Sequence, residues 1–560
     1  MKVYPVLILS GLLAGAYLWQ TRPAEPTVVP QQGPLPAQTA LTPTPRARFT
    51  PTPATRRGYY NIDVVGDFTL PATKSITFSG AGRNLHVNQD WQKLFRRGFS
   101  SIAQTNMVRQ QEIWLDGPPP AGWKSRLAPS QRALIVYGQY FTDAFGLAWA
   151  RDSEKAPQTL YRVPASPNAR PNRNTVYQSA LELSGGCVGF GDCPPGGMKS
   201  TFGKIYVDIE NNGTSLGNRQ EHANLYVYLT QTLRDNVSPQ TEIGWITPWP
   251  HNCFGYSRAA DYQAGPDWLW TMPARQTATS RQRGMPDEIV GKSFGEVVDF
   301  QMPGTYYVYP DLDYNASHTG DGDRHWLAGL LSEQEINRKL SPKKRIAWQW
   351  LFNTQADFPG SHKAEHPAPP AIAEGMGIFY WFTGAYGTIF WDDQGDLTPD
   401  QPRPTDPEQQ GIGNDRNYAC YEHYLHGLWR LFKHHGDLFN GRETYLNEAT
   451  ECSYDGGQTW VAYNANQLKT RDLPYARVIV NGDQILVAAT KPYARPDQKS
   501  ALMVRYVQNG YQFYTTIALN GDEIFLGRAT MGRATMGRAT MGRATMRRAA
   551  DSARTGTKRL

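Results

Sequence analysis

A short segment of the sequence places two carboxylates at the end of an apolar, β-branched run. Residues 204–207 read Lys-Ile-Tyr-Val and are followed by Asp208, Ile209 and Glu210, and then by the polar turn Asn-Asn-Gly. Alternate side chains of a β-strand point to the same side, so Asp208 and Glu210 are predicted to project together. Neighbouring carboxylates can keep one of the pair protonated near neutral pH. Glycoside hydrolysis needs such a pair, although a strand that ends in a solvated acidic turn has the same pattern.

The elements that must position this pair alternate between apolar strands and helices. The sequence favours helices near 219–235, 331–340, 370–385 and 418–435, and strands near 133–141, 203–210, 242–248, 304–311, 345–352 and 387–393. Repeated β-α units over this length predict an α/β fold, a (β/α)₈ TIM-like barrel followed by a C-terminal antiparallel β-sandwich domain. Counting back from the last strand makes 203–210 the fourth strand. Its carboxyl end would then open onto the face where such barrels carry their active sites.

The sandwich is predicted from short alternating strands separated by Asn-Gly turns at 481–482, 509–510 and 520–521. The chain is predicted to begin with a signal peptide or membrane anchor at 1–20 and a Pro/Thr-rich disordered linker at 21–57. The catalytic barrel is predicted at 58–445, the sandwich at 446–527 and a low-complexity basic tail at 528–560.

The other strand ends supply acids and aromatic side chains that suit a sugar site. The predicted substrate-binding residues are Trp245, Asp299, Asp311, Trp348, Trp391 and Asp392, with Tyr309 as a further catalytic candidate. Flat aromatic faces can stack on sugar rings. Each aromatic residue taken alone is equally consistent with packing in the core.

The N-terminus and the tail bear on location and partners. Met1 and Lys2 precede an apolar run over 3–19, which resembles an export signal or a short membrane anchor. We therefore expect a periplasmic, extracellular or membrane-anchored protein with a carbohydrate substrate and a possible membrane tether. Residues 528–560 hold nine Lys or Arg and one Asp, a net +8. Because the whole chain carries +7, the rest sums to −1. The basic charge is thus no argument for a nucleic-acid partner.

No cofactor or metal is predicted. Cys187 and Cys193 flank a Gly-rich loop and could form a disulfide in an oxidising compartment. His423 and His426 lie three residues apart on a predicted helix without an obvious third ligand, which favours a structural role. Glu374 is predicted to lie on a helix outside the barrel.

Three features together resemble the family 18 chitinase-like glycosidases, and hyaluronidase-like enzymes are similar. These features are the Asp-x-Glu end of the fourth strand, Tyr309-Pro310-Asp311, and Trp391 on the eighth strand. The resemblance implies substrate-assisted cleavage. Glu210 would protonate the glycosidic oxygen, Asp208 would orient the substrate's N-acetyl group, Tyr309 would hydrogen-bond that group and Trp391 would form the floor. The chain departs from the family pattern at Tyr206, where the family has an outer Asp.

Two alternatives stay open at this point. In the first, Asp208 is a direct nucleophile with Asp299 or Asp311 as acid/base, because an Asp on the fourth strand with a following sandwich resembles the α-galactosidase-like clan. In the second, the chain is a non-catalytic glycan-binding or structural cell-envelope protein, since one barrel fold hosts many functions.

Overall fold

The computed structural model describes the parts of the chain that build the barrel and the sandwich. They are residues 37–47, 50–51, 61–79, 91–105, 128–137, 202–208, 219–246, 268–282, 285–306, 326–353, 366–391, 419–446, 450–462, 473–508 and 511–530. Within this part of the chain, no helix is both long and apolar enough to cross a membrane.

The strands of these segments are numbered in chain order. They are β1 (Ala37–Gln38), β2 (Thr42–Pro43), β3 (Ser75–Ser79), β4 (Ser101–Thr105), β5 (Arg132–Tyr137), β6 (Lys204–Asp208), β7 (Glu242–Ile246), β8 (Phe300–Met302), β9 (Gly304–Tyr306), β10 (Lys344–Trp350), β11 (Phe352–Asn353), β12 (His366–Pro367), β13 (Gly387–Trp391), β14 (Thr444–Tyr445), β15 (Glu451–Ser453), β16 (Val461–Ala462), β17 (Tyr475–Asn481), β18 (Gln484–Thr490), β19 (Lys499–Gln508), β20 (Tyr511–Asn520) and β21 (Phe525–Thr530).

The α-helices are numbered in the same way. They are α1 (Trp91–Arg96), α2 (Arg219–Asn236), α3 (Trp268–Thr271), α4 (Ala278–Gln282), α5 (Phe294–Val297), α6 (Trp326–Leu340), α7 (Pro370–Phe379) and α8 (Ala419–His435).

The first body is a closed, eight-stranded parallel barrel, as predicted. Its strands follow the order β3, β4, β5, β6, β7, β8, β10, β13, and β13 pairs with β3 to close the ring. The segment of Asp208 is therefore the fourth barrel strand, as the count from the sequence predicts. The sixth barrel strand differs from the predicted strand at 304–311. It is interrupted at Pro303 and consists of β8 and β9, which both pair with β10.

The second body is a sandwich of two five-stranded sheets, ordered β1-β20-β19-β15-β16 and β14-β17-β18-β21-β2. Alternate residues of β17 serve two cores. Val478 packs between the sheets, whereas Ile479 joins the core of the barrel. The period of two in a strand therefore fastens the sandwich to the barrel with a single sheet.

Both flanks of the sandwich extend beyond the predicted boundaries. Residues 37–47 fall within the predicted disordered linker, yet they supply β1 and β2. Gly-Arg-Ala-Thr-Met occurs four times in tandem from residue 527. All but the first residue of the first copy fall in the predicted tail, yet the first four residues of that copy complete β21. Ala529 is buried in the sandwich core, and Arg528 bonds Asp437 with both terminal nitrogens at 2.8 Å. A repeat that alternates small and polar residues can thus form an ordinary strand.

Helices α7 and α8 pack backbone against backbone at two glycines. A Cβ atom added at Gly427 would lie 2.6 Å from the backbone oxygen of Glu374, and one at Gly377 would lie 2.8 Å from that of Tyr424. These contacts are with backbone atoms, so a side chain at either position would force the helices apart.

We therefore expect Gly427→Ala to lower the free energy of unfolding by about 1–3 kcal/mol, the usual cost of overpacking. Gly66→Ala is the matched control, because the nearest atom to its new Cβ would be 3.9 Å away. Urea unfolding followed by circular dichroism measures both. Equal stability of the two variants would contradict the close packing of α7 on α8.

Candidate active site

Asp208 lies at the carboxyl end of the fourth barrel strand and faces the barrel interior. Two residues earlier, the buried Tyr206 hydroxyl lies 2.7 Å from Thr77 Oγ1, which in turn lies 2.7 Å from Ser101 Oγ. This network joins strands on different sides of the barrel, so Tyr206 points inward. Because side chains alternate along a strand, Asp208 also points inward. It lies closer to the opening at the carboxyl ends of the barrel strands, here called the mouth. Its side chain is half-buried.

The network below Asp208 makes a closed floor. Phe300 packs edge-on against Tyr206 with ring centroids 5.6 Å apart. A Cβ atom on Gly244 would lie only 2.1 Å from that phenyl ring, so glycine is what lets Phe300 fill the interior. Burial raises the pKa of Tyr206 far above its usual value, despite the bond to Thr77. The phenol stays neutral, and it serves here as a structural hydrogen-bonding group.

The two tryptophans of β10 at 348 and 350 face the same interior. Their neighbours show the alternation: the Arg345 side chain donates to Gln334 O on α6, and Gln349 bonds the Tyr424 hydroxyl on α8, so both point outward. Trp348 is fully buried inside the barrel, and Trp350 is half-buried near the mouth. Trp350 is thus better placed than Trp348 to meet a ligand. The sequence prediction chose Trp348.

Two predicted substrate-binding residues lie away from this mouth. Trp245 points outward and packs against Tyr226 and Phe294, with centroids 4.6 and 5.8 Å away. Because Gly244 faces inward, its neighbour Trp245 must belong to the layer between strands and helices. This residue is core, as the alternative interpretation of each aromatic residue allowed.

Asp299 is at the opposite end of the barrel. It precedes β8, and its carboxylate accepts from the backbone N–H of Ile243 at 2.7 Å and pairs with Arg234. Residues that precede a barrel strand lie at its amino end, away from the face that carries catalysis in this fold. Its placement is therefore a correction to the predicted site.

Of the remaining predicted site residues, the structure describes only Trp391. Trp391 ends β13 beside Ser79, at the carboxyl end of the barrel, and its side chain is not described. Glu210, Tyr309, Asp311, Asp392, Cys187 and Cys193 lie outside the described residues. Of the described positions that end barrel strands on the inner side, Asp208 is the single acid. The others whose side chains are described are Ser79, Ile246, Met302 and Trp350.

A second polar site, between α7, α8 and the sandwich, centres on Glu374. Its carboxylate is buried between Arg430 and Arg46, and His426 Nδ1 lies 3.6 Å away. Burial opposes ionisation, but His426 and the two guanidinium groups outweigh it and lower the pKa of Glu374 to about 2. A carboxylate that is ionised at every ordinary pH cannot serve as a general acid.

A cavity of about 700 Å³ lies beside this cluster, lined by His423, Thr50 and the acidic turn Asp522–Glu523 among others. Within the described parts of the chain, no group of three His, Cys, Asp or Glu side chains is arranged to hold a metal ion. The sequence did contain a signal for this cluster. Glu422, His426 and Arg430 recur every four residues on α8, so they share one face.

No protein-family model and no curated protein sequence matches this chain. Solved structures with a similar course include an α-amylase of Anoxybacillus, at 8% identity and a TM-score of 0.38, covering 82% of this chain and 99% of that one. Another is a glycoside hydrolase family 5 protein from Bacteroides vulgatus, at 9% identity and a TM-score of 0.31, covering 83% and 91%. A third is a putative α-galactosidase from Bacteroides fragilis, at 9% and 0.34, covering 82% and 80%. The fold assignment here rests on the order and closure of the strands themselves.

Proposed function

We propose that this chain is an exported glycoside hydrolase that cleaves a polysaccharide or oligosaccharide at the carboxyl face of its barrel. The observation that carries the proposal is the position of Asp208, an inward-facing acid at the mouth, above a closed floor. This is where the chemistry of (β/α)₈ barrels is held. Trp350 at the same rim offers an apolar ring face for a sugar.

Asp208 alone is insufficient, because glycosidic cleavage needs an acid that protonates the leaving oxygen. We assign that role to Glu210, two residues further along the same segment. In the substrate-assisted version Asp208 orients an N-acetyl group of the substrate, with Tyr309 and Trp391 in supporting positions. In the direct version Asp208 attacks the anomeric carbon and Asp311 is the acid/base, since Asp299 lies at the other end of the barrel.

A second candidate function has one observation in its favour. Ile246 and Trp350 occupy the inner ends of β7 and β10, so two described positions at the mouth that could hold a second carboxylate hold apolar or aromatic side chains. The same mouth on a non-catalytic protein would bind glycan through its aromatic rim. We propose an envelope or extracellular location for either function, with a possible membrane tether through the apolar run at 3–19 and no nucleic-acid partner.

The full chain should release reducing sugar from at least one member of a polysaccharide panel, and Glu210→Gln should lower that rate by about 10²–10⁴-fold, the contribution expected of a general acid. The exposed Glu288 gives the matched control, because Glu288→Gln makes the same chemical change at an exposed position outside the barrel strands. Retention on the polysaccharide by both variants would show that binding survives.

The substrates themselves separate the two mechanisms. Release confined to sugars with a 2-acetamido group supports substrate assistance, whereas release from sugars without one supports Asp208 as nucleophile. Retention of a polysaccharide with no release by the parent protein would favour the glycan-binding alternative and reject the hydrolase.

A further inference from the structure

Residues 37–47, here called the strap, cover one edge of each sandwich sheet. β1 pairs in parallel with β20, and β2 pairs antiparallel with β21, in ladders of only two residues each. Two further backbone bonds extend them, Thr39 N to Tyr514 O at 2.9 Å and Thr44 N to Leu526 O at 2.8 Å. So few backbone bonds hold a segment weakly, and the side-chain contacts of the strap gain importance.

Those contacts depend on histidines of α8. Thr44 Oγ1 lies 2.6 Å from His435 Nε2, and the backbone N–H of Ala47 donates to His426 Nε2 at 3.1 Å. Between them Arg46 donates to the Glu374 carboxylate at 2.5 Å. The strap therefore runs along α8 from one imidazole to the other.

The bond from Ala47 fixes the protonation state of His426. A neutral imidazole has one nitrogen that accepts, whereas an imidazolium has two donors and no acceptor. Because a backbone N–H can only donate, this contact exists only while His426 Nε2 carries no proton.

Charged groups of both signs lie around His426. The Glu374 carboxylate of α7 lies 3.6 Å from His426 Nδ1 and also pairs with Arg46 of the strap and Arg430 of α8. On its own helix, Glu422 accepts from the backbone N–H of Asn61 at 2.8 Å, and His423 lies one turn away. The acidic turn at 522–523 faces the same cavity. A proton on Nε2 would break the bond from Ala47.

Two neighbouring histidines, His435 and His423, have pKa values below the usual value for the imidazole. Burial, aided by Arg528, His434 and Arg430 and opposed by Asp437, lowers the pKa of His435 to about 3. Burial also lowers the pKa of His423 to about 4, although Glu374 acts against it; His426 and Arg46 act with burial.

The sign of the pH effect follows from these directions. A released strap exposes His423 and His435 to water and lets the pKa values of these two imidazoles rise towards about 6.5. The docked state then binds fewer protons than the released state, so docking is at full strength above about pH 6.5 and weakens as the pH falls.

We propose that acid releases the strap. At neutral pH the strap pairs with the edges of both sandwich sheets and binds α8, and it detaches when acid protonates the histidines beneath it. Detachment frees the edges of β20 and β21 and opens the cavity beside Glu374. It also releases residues 37–47 from the sandwich, which lengthens the segment that precedes the barrel.

Amide hydrogen exchange on the full chain, followed by mass spectrometry, tests this proposal. We expect the protection of peptides over 37–47, corrected for the intrinsic effect of pH, to fall by about tenfold or more between about pH 7.5 and about pH 4.5. Peptides over 475–490, in the central strands β17 and β18, are the internal reference and should keep their protection. Constant protection of the strap, or a parallel loss in both regions, would overturn the proposal.

A paired variant locates the effect. His426→Gln with His435→Gln keeps an acceptor at both positions and removes the titrating groups, so strap protection at acid pH should exceed that of the parent. His222→Gln is the matched control, since His222 lies on α2, which follows the fourth barrel strand, whereas α8 follows the eighth, and it should behave like the parent. An acid loss of equal size in all three proteins would reject the histidines as the trigger. If the double variant fails to fold, the two peptide regions of the parent protein still decide the question.

Discussion

Asp208→Asn is expected to lower kcat/KM on the substrate found in the panel by about 10³-fold or more, whereas Asp299→Asn should leave it within about twofold. Both changes replace a carboxylate of the barrel by its neutral isostere. Only Asp208 faces the interior at the carboxyl end, while Asp299 binds Arg234 and the backbone of Ile243 at the amino end. The pair therefore separates loss of chemistry from loss of a barrel carboxylate.

The two variants should also differ in stability. Asp299 accepts two hydrogen bonds that join α2 and β7 to β8, so its replacement should lower the unfolding midpoint, whereas Asp208→Asn should change that midpoint little. Activity is normalised to the folded fraction measured by circular dichroism. An inactive, folded Asp299→Asn would show that the catalytic face has been misassigned, and an active Asp208→Asn would reject Asp208 as a participant in the reaction.

The barrel and the place of Asp208 in it were predictable because they depend on strong local patterns. The apolar strands 204–208 and 242–246 are buried on both sides, and such continuous runs separated by helices specify a parallel sheet. The sandwich was predictable for a similar reason, since the Asn-Gly turn at 481–482 closes the hairpin of β17 and β18. The Asn-Gly turn at 520–521 instead leads from β20 in one sheet to β21 in the other. In both cases each element carries its own signal.

What the sequence did not reveal depends on contacts between distant segments. β1 and β2 are two residues long, too short for any periodicity, and they exist because β20 and β21 offer free edges. Trp245 and Trp348 both lie in apolar strands and look alike in the sequence. Only the alternation of side chains along each strand, which the structure shows, directs Trp245 outward and Trp348 inward. Asp299 was grouped with the mouth although the sequence places it ahead of the sixth strand, and its bonds to Arg234 and Ile243 show that it lies at the amino end.

The Glu374 cluster depends both on a local pattern and on contacts between distant segments. Glu374 lies on α7, Arg430 on α8 and Arg46 on the strap, so the spacing of polar residues on α8 indicates only one part of the cluster. Once assembled, it connects the barrel, the sandwich and the N-terminal segment at one point: Arg430 also donates to Ile524 O of the sandwich at 2.9 Å. The strength of this junction decides how firmly the two bodies hold together.

Arg430→Met should therefore be the most destabilising single change at the junction, at about 3–5 kcal/mol, the usual cost of leaving a buried charge unpaired. Arg430 and Glu374 are each only about 3% exposed at the side chain. Without Arg430, the Glu374 carboxylate keeps only the half-exposed Arg46 and His426 nearby. The matched control is Arg495→Met, because Arg495 and Asp497 are largely exposed and their closest atoms are 3.8 Å apart; its effect should stay within about 0.5 kcal/mol.

A double variant distinguishes the unpaired charge from simple loss of packing. Arg430→Met with Glu374→Met removes both charges at once, and replacing a buried pair by apolar side chains is often close to neutral. The double variant should therefore be more stable than Arg430→Met alone, with the unfolding midpoints in urea read by circular dichroism. If it is less stable by the sum of the two single effects, each side chain contributes independently, and the junction is held by packing and by the bond to Ile524 rather than by the buried ion pair.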